Sequence, residues 1–103
     1  MDYSLDTQTV ETEIVDEISE EALPSDKVAD LVEYIVCGLV DNVDAVSLDV
    51  VDGEGETTLE IRCDSSDTGR IIGRKGRTIK SIRTLARALG QRVGTLVEVE
   101  VLD

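Results

Sequence analysis

The residues best suited to bind a ligand form a glycine-flanked basic turn, Gly73-Arg74-Lys75-Gly76, which opens an amphipathic segment. The two glycines let the main chain turn sharply and approach a ligand closely, because neither carries a Cβ atom. N–H groups at the start of the following helix would present positive potential to an anion, and Arg74 and Lys75 add two full charges. The spacing therefore predicts a site for a phosphate backbone, most simply that of a single-stranded nucleic acid.

The basic residues of the chain are concentrated around this turn. The 103-residue chain has a net charge of −13, yet eight of its ten basic residues lie in the 30-residue window between Asp67 and Glu98, which contains no acid. The eight are Arg70, Arg74, Lys75, Arg77, Lys80, Arg83, Arg87 and Arg92. An acidic chain that keeps one window at +8 places its positive charge locally, as nucleic-acid binders do. The alternative is a solvated basic helix that only offsets the negative charge of the rest of the chain.

The composition argues against catalytic and metal-dependent functions. The chain has no His, Trp or Phe, so it lacks the usual general base, the commonest metal ligand and most of the aromatic side chains that stack on bases. Cys37 and Cys63 form no Cys-x-x-Cys motif, and we expect buried free thiols in a reducing cytoplasm. We therefore predict no catalytic residue, cofactor or metal site, and neither a signal peptide nor a membrane span.

The chain divides at residue 26 into an acidic tail and a folded domain. Residues 1–26 carry nine acids and no base, which predicts a flexible extension. Apolar residues then recur with the 3.6-residue period, predicting a helix over 27–41 with Ser25 near its N-terminal cap. Alternating apolar residues on either side of Asp52-Gly53 predict a β-hairpin.

The second half of the domain contains the basic turn. The segment 64–67 supplies capping residues for a short helix that reaches Ile72. The turn follows, and the periodic pattern predicts a second helix over 77–89, a loop over 90–94 and a last strand over 97–101. Because a helical crossover joins the second strand to the last, these two strands should be parallel.

The order α-β-β-α-α-β and the quoted motif resemble the type II K-homology (KH) domain. The segments that carry the resemblance are 40–42, 67–78 and 83–85, and they look closely like the small single-KH RNA-binding proteins of bacteria, the KhpA-like family. The resemblance covers residues 27–103 and leaves the acidic tail outside. It implies an α+β fold with a three-stranded mixed sheet packed on helices.

The resemblance also implies a site and partners. KH domains clamp the backbone of about four unpaired nucleotides with a Gly-x-x-Gly loop and hold the bases in an apolar groove. The RNA-binding residues implied here are Ile72, Gly73, Arg74, Lys75, Gly76, Arg77, Ile79, Lys80 and Arg83. Either isoleucine could equally belong to the core. The family further implies RNA chaperone or post-transcriptional regulation linked to cell shape and envelope growth. It implies pairing with a second copy or with a larger Jag-type (KhpB-like) KH protein.

Two other functions are compatible with the sequence. A helix-turn-helix DNA-binding protein would also place a basic helix after a short turn, although 77–89 offers no obvious Asn or Gln to read a groove. A dimerising adaptor would act mainly by associating with a partner protein, and its contact with RNA would be secondary.

Overall fold

The helices lie on one face of a three-stranded sheet in the computed structural model, which describes residues 23–102. Most of the predicted acidic tail, up to residue 22, lies outside the described residues, and the chain division at residue 26 stays a prediction. The elements are α1 (Pro24–Leu39), β1 (Ser47–Gly53), β2 (Glu56–Arg62), α2 (Thr68–Ile72), α3 (Arg77–Val93) and β3 (Leu96–Val101). The predicted α+β fold and its element order are confirmed.

Helix α1 begins three residues before the predicted start. Pro24 occupies its first turn, where a missing N–H costs nothing, and the N–H of Leu23 donates to Asp26 Oδ2 at 3.1 Å. Ser25, predicted to lie near the cap, is the second residue of the helix, and its hydroxyl donates to Asp52 Oδ2 at 3.0 Å. The buried residues of α1 are Ser25, Val28, Val32 and Val36.

The sheet has the predicted mixed topology, with β2 in the centre. Strands β1 and β2 are antiparallel and joined by Glu54-Gly55, two residues beyond the predicted turn, with Gly55 at a φ of 72°. Strands β2 and β3 are parallel, as the crossover predicted. Leu59 and Ile61 of β2 pack with Val97 and Val99 of β3 under the helices. The opposite face of the sheet carries five carboxylates, those of Asp49, Glu56, Glu60, Glu98 and Glu100.

The predicted loop over 90–94 is wrong, because α3 continues to Val93 and Gly94 ends it in the left-handed region. Gly90 is a helical residue for a packing reason. A Cβ atom there would lie 2.5 Å from Val97 Cγ2 and 2.6 Å from the carbonyl oxygen of Thr95. This glycine therefore lets α3 approach β3 closely, and the connection between them shortens to Gly94-Thr95.

Asp67 joins α1 to α2. Its side chain is buried, and its two carboxylate oxygens accept the N–H groups of Asp41 at 3.1 Å and Asn42 at 3.0 Å. Arg70, one turn along α2, lies 3.3 Å from Asp67 Oδ1 and 3.0 Å from Asp41 Oδ2. These bonds hold α2, and hence the basic turn that follows it, against the end of α1. The predicted buried thiols, Cys37 and Cys63, are only half-buried, and Cys63 packs against the margin of the core.

Candidate nucleic-acid interface

The two glycines of the basic turn are required for different reasons. Gly73 has a φ of 79°, and a Cβ atom on it would lie 2.2 Å from Thr78 Oγ1 and 2.8 Å from the main-chain nitrogen of Thr78. Gly76 has open space around its Cα, but its φ of 74° is strained for any residue with a Cβ. The first glycine allows the turn to close onto α3, and the second allows the chain to enter that helix.

Lys75 is the only non-glycine residue with positive φ within residues 23–102, at 58°. Two main-chain bonds hold the turn around it, from the N–H of Gly73 to the Gly69 carbonyl at 2.8 Å and from the N–H of Gly76 to the Gly73 carbonyl at 3.0 Å. Arg74 and Lys75 are both exposed at its tip. The left-handed backbone conformation is strained for lysine, whereas glycine adopts it freely. Such backbone strain is concentrated at functional sites.

The N-terminus of α3 lies directly behind the turn. The N–H of Arg77 donates to the Arg74 carbonyl, and no side chain caps the N-terminus of the helix. The first turn contains no acid, and the helix is 17 residues long. The positive end of its dipole therefore lies beside Arg74 and Lys75, an arrangement suited to a phosphate group.

Four cations at this end of α3 form a cluster that we call the basic patch: Arg74, Lys75, Arg77 and Lys80. All four side chains are exposed. In the described part of the chain every ion pair involves a different arginine, namely Arg62, Arg70 or Arg87. The patch thus holds four positive charges with no carboxylate partner between residues 23 and 102.

Arg83 and Arg87 lie along β3 instead of extending the basic patch. Arg83 Nε donates to the Val99 carbonyl at 3.0 Å, and Arg87 Nε donates to the Val97 carbonyl at 3.4 Å. Arg87 also pairs with Glu98 at 3.1 Å. Both carbonyls face the edge of β3 that is not paired with β2, so the two arginines cover this edge.

A groove of about 420 Å³ runs between α3 and β3. Its lining consists of Thr84, Arg87, Ala88, Gln91, Leu96, Val97 and Glu98. The lining combines apolar side chains with hydroxyl, amide, guanidinium and carboxylate groups, and these polar groups can bond the edge of a base. Sequence reasoning missed most of these residues, although the helical spacing of Thr84, Ala88 and Gln91 places them on one face of α3.

The two predicted groove isoleucines have different environments. Ile72 is 36% exposed beside the turn, so a ligand can contact its side chain. Ile79 is only 6% exposed and belongs to the core together with Ile82 and Ala86. Of the two readings left open by the sequence, the structure places Ile79 in the core.

The loop that supports α2 contains one titrating group with a shifted pKa. The pKa of Asp64 lies below its ordinary value of 3.8, chiefly because its carboxylate accepts the Ser66 N–H, and further because it accepts the Asn42 amide and the Ser66 hydroxyl. No group of three potential metal ligands occurs between residues 23 and 102. Over the same residues, no helix combines the length and apolar character needed to cross a membrane.

Comparisons with known proteins identify the family of this chain. The family described as "KhpA/KhpB, KH domain" matches residues 29–101. The RNA-binding protein KhpA of Borreliella burgdorferi is 47% identical over 74 residues, which cover 72% of this chain and 90% of that protein. The proteins of the same name from Aquifex aeolicus and Mycobacterium tuberculosis are 36% and 40% identical, covering 72% and 74% of this chain and 94% and 91% of their own lengths. No solved structure is significantly similar to the chain. The chain belongs to the KhpA/KhpB family of KH domains.

Proposed function

We propose that this protein binds short segments of single-stranded RNA and that its role is not catalytic. The observation that carries the proposal is the basic patch, which sits on a two-glycine turn at an uncapped helix N-terminus. The names of its relatives, each an RNA-binding protein KhpA, support the choice of RNA as ligand.

In the proposed complex, the phosphate backbone crosses the turn. Gly73 and Gly76 allow the close approach, and the basic patch, with Arg77 and Lys80 on the first turns of α3, neutralises about four phosphates. Ile72 contacts a sugar or base beside the turn. Arg83 contributes positive charge from the edge of β3, while Ile79 positions α3 from beneath.

The bases enter the groove between α3 and β3. Aromatic stacking contributes little, because Tyr34 is the only ring among residues 23–102 and it lies on α1. Discrimination between bases therefore rests on hydrogen bonds from side chains such as Thr84 and Gln91 and on shape. Each such contact is worth only about 1 kcal/mol, so we expect broad sequence specificity and micromolar or weaker affinity.

For the cellular role, we propose a cytoplasmic RNA chaperone or post-transcriptional regulator linked to cell shape and envelope growth. The support is the family resemblance, together with the exposed basic patch. Broad and weak RNA binding suits a protein that contacts many transcripts briefly.

We also propose that the protein works as a dimer, either with itself or with a KhpB-like KH protein. Leu85 supports this, because it is 52% exposed on the outer face of α3 between polar neighbours. The same observation favours the adaptor alternative, in which association is the main task. Leu85 shares a surface depression with Arg77 and Lys80, so the Leu85→Asp variant is examined by both sedimentation and oligouridine titration. The adaptor alternative predicts that a monomeric variant loses its cellular role even when its oligouridine affinity is unchanged.

The central test reverses the charges at the tip of the turn. Arg74→Asp combined with Lys75→Asp should weaken binding of a labelled oligouridine by at least about ten-fold, because two phosphate contacts become repulsive. Both side chains are exposed, so circular dichroism should show an unchanged fold. Unchanged RNA affinity in the folded variant would overturn the proposal.

A matched control carries the same change in net charge at another place. Lys27 and Arg92 are both exposed. Arg92 lies in the last turn of α3, and Lys27 lies in the first turn of α1, whose start meets that end of α3. Changing both to Asp should alter RNA affinity by no more than about two-fold, since surface charges beyond a Debye length of about 10 Å are screened. Double-stranded DNA as competitor tests the helix-turn-helix alternative, which predicts that duplex displaces the oligouridine.

A further inference from the structure

The basic patch has no carboxylate partner within residues 23–102, whereas the segment of the same chain that precedes them is strongly acidic. Residues 1–22 contain eight acids and no base. The acids are Asp2, Asp6, Glu11, Glu13, Asp16, Glu17, Glu20 and Glu21. The chain therefore carries its own polyanion, covalently joined to the domain that holds the unpaired cations.

We propose that residues 1–22 dock onto the basic patch and compete with RNA for it. Charge complementarity and the length of the tether support the contact between the segment and the patch. The competition rests in addition on the proposed RNA-binding function. The segment then acts as a built-in electrostatic brake, which lowers RNA affinity at low salt and releases the patch as salt rises.

The geometry of the domain allows this contact. Leu23, where the segment joins the domain, lies beside Gly94 and Thr95 around a shallow cleft, at the C-terminal end of α3. The basic patch lies at the other end of α3, and a helix of 17 residues is about 25 Å long. A random coil of 22 residues has a root-mean-square span of about 25 Å. The tether length thus matches the distance that it must cover.

Position along the segment determines which acids reach the patch. Glu20 and Glu21 are two or three residues from Leu23 and extend at most about 10 Å. Asp2, Asp6, Glu11 and Glu13 are ten or more residues away, and their extended reach exceeds about 33 Å. These four distal acids should carry the contact.

The expected effect is moderate. Exposed ion pairs are individually weak, but a short tether gives an effective concentration in the millimolar range, so a contact with a millimolar dissociation constant is substantially occupied. The Debye length is about 30 Å at 10 mM salt and about 8 Å at 150 mM. We expect RNA affinity to change about three- to five-fold at the lower salt concentration and less than about two-fold at the higher one.

The test compares two full-length variants with equal net charge. In the segment variant the four distal acids are replaced, as Asp2→Asn, Asp6→Asn, Glu11→Gln and Glu13→Gln. In the control variant four domain acids without an ion pair in the described structure are replaced by Gln, namely Glu54, Glu56, Glu60 and Glu100. Both variants lose four negative charges, so general repulsion of RNA falls equally in both.

Two measurements are made on each variant. Amide chemical shifts are recorded without RNA at 10 mM and 150 mM salt, and oligouridine affinity is measured under the same conditions. At 10 mM salt, we expect the amide resonances of residues 73–80 in the segment variant to differ from those of the wild type. At 150 mM salt, the two sets of resonances should converge. Only the segment variant should bind oligouridine more tightly than the wild type at 10 mM salt.

Specific outcomes overturn the proposal. Unchanged amide shifts at 73–80 in the segment variant would exclude the contact, whatever happens to RNA affinity. Equal tightening of RNA binding in both variants would assign the effect to net charge alone and exclude the brake. Shifts that grow with protein concentration would show that a second copy supplies the acidic segment, which excludes docking within one chain. If no variant binds oligouridine, the proposed function fails, but the amide shifts still decide whether the segment docks.

Discussion

Arg83 Nε donates a 3.0 Å hydrogen bond to the main-chain carbonyl of Val99. This bond ties α3 to β3 and gives a partner to a carbonyl on the unpaired edge of the sheet. Exposed strand edges invite pairing with other chains, and a long cationic side chain laid along the edge prevents it. Arg83 thus serves the fold as well as offering charge to a ligand, whereas Lys80 of the basic patch has no such bond among the described residues.

Substitutions at these two positions should therefore separate stability from RNA binding. Arg83→Ala should lower the free energy of unfolding by about 1 kcal/mol, because it removes one hydrogen bond and leaves the Val99 carbonyl to water. Lys80→Ala, at an exposed helix position, should change stability by less than about 0.5 kcal/mol while weakening oligouridine binding by a few-fold. Urea unfolding and RNA titration measure the two effects. Equal loss of stability in both variants would contradict the structural role of Arg83.

The order of elements was predictable because it depends on local patterns. The periodic valines of α1 and the alternating residues of β2 identify their elements without knowledge of their neighbours. The parallel pairing of β2 with β3 followed from the helical crossover. The two-glycine turn was equally visible, because positive φ at Gly73 and Gly76 is a local requirement.

The features that the sequence did not predict depend on contacts between distant segments. Gly90 looked like the start of a loop, since only the approach of Val97 explains a glycine within α3. The hydrogen bond from Arg83 to the Val99 carbonyl was not predicted, since the position of the β3 edge beside α3 is not encoded in the helical period; the role of Arg83 in RNA binding stays a prediction. The segment 64–67 was predicted to cap α2, and Asp67 does occupy the N-cap position, but its carboxylate accepts main-chain N–H groups from Asp41 and Asn42 and none from α2.

The two glycines of the turn should differ in their tolerance of alanine. Gly73→Ala places a Cβ against the backbone of Thr78, so it should cost about 2 to 4 kcal/mol of stability through strain and displacement of the turn. Gly76→Ala meets no atom within 4 Å and should cost only about 1 to 2 kcal/mol for its left-handed conformation. Denaturant midpoints of both variants check the order.

Gly38→Ala is the matched control for these substitutions. Gly38 lies in α1, and a Cβ atom on it would meet nothing within 4 Å. Because alanine favours helix, this variant should be up to about 1 kcal/mol more stable than the wild type. A similar loss of stability in all three variants would show that the conformation of the turn makes no special demand for glycine.

The salt dependence of RNA binding should report the number of phosphates contacted. If the basic patch neutralises about four phosphates, the logarithm of affinity should fall with the logarithm of salt concentration with a slope of about −3 for a single strand. Arg77→Ala should reduce the magnitude of this slope by about 0.7, because one contact is lost. Fluorescence anisotropy over a series of salt concentrations measures both slopes, and a flat dependence would favour the adaptor alternative.

Asp64 should make stability depend on pH in the acidic range. Its folded-state pKa is below the ordinary value of 3.8, so its contribution is fully present above that value and is lost as pH falls through the lowered pKa. Asn42→Ala should raise the pKa of Asp64 only part of the way, because the larger cause, the Ser66 N–H, remains. Carboxyl NMR titration measures this pKa, and a value unchanged by Asn42→Ala would contradict the assigned contact.

Asp67 should be among the polar residues on which the fold depends most. Asp67→Ala removes the acceptor for the N–H groups of Asp41 and Asn42 and for Arg70, all at a buried position, and should cost about 2 to 4 kcal/mol. Asp67→Asn keeps one carbonyl acceptor and should cost less, whereas Ser66→Ala, at an exposed neighbour, should cost no more than about 1 kcal/mol. Chemical unfolding measures all three. Because Asp67 also positions α2, its loss should broaden the amide resonances of the basic turn in the folded variant, and equal stability of the Ala and Asn variants would contradict this account of the carboxylate.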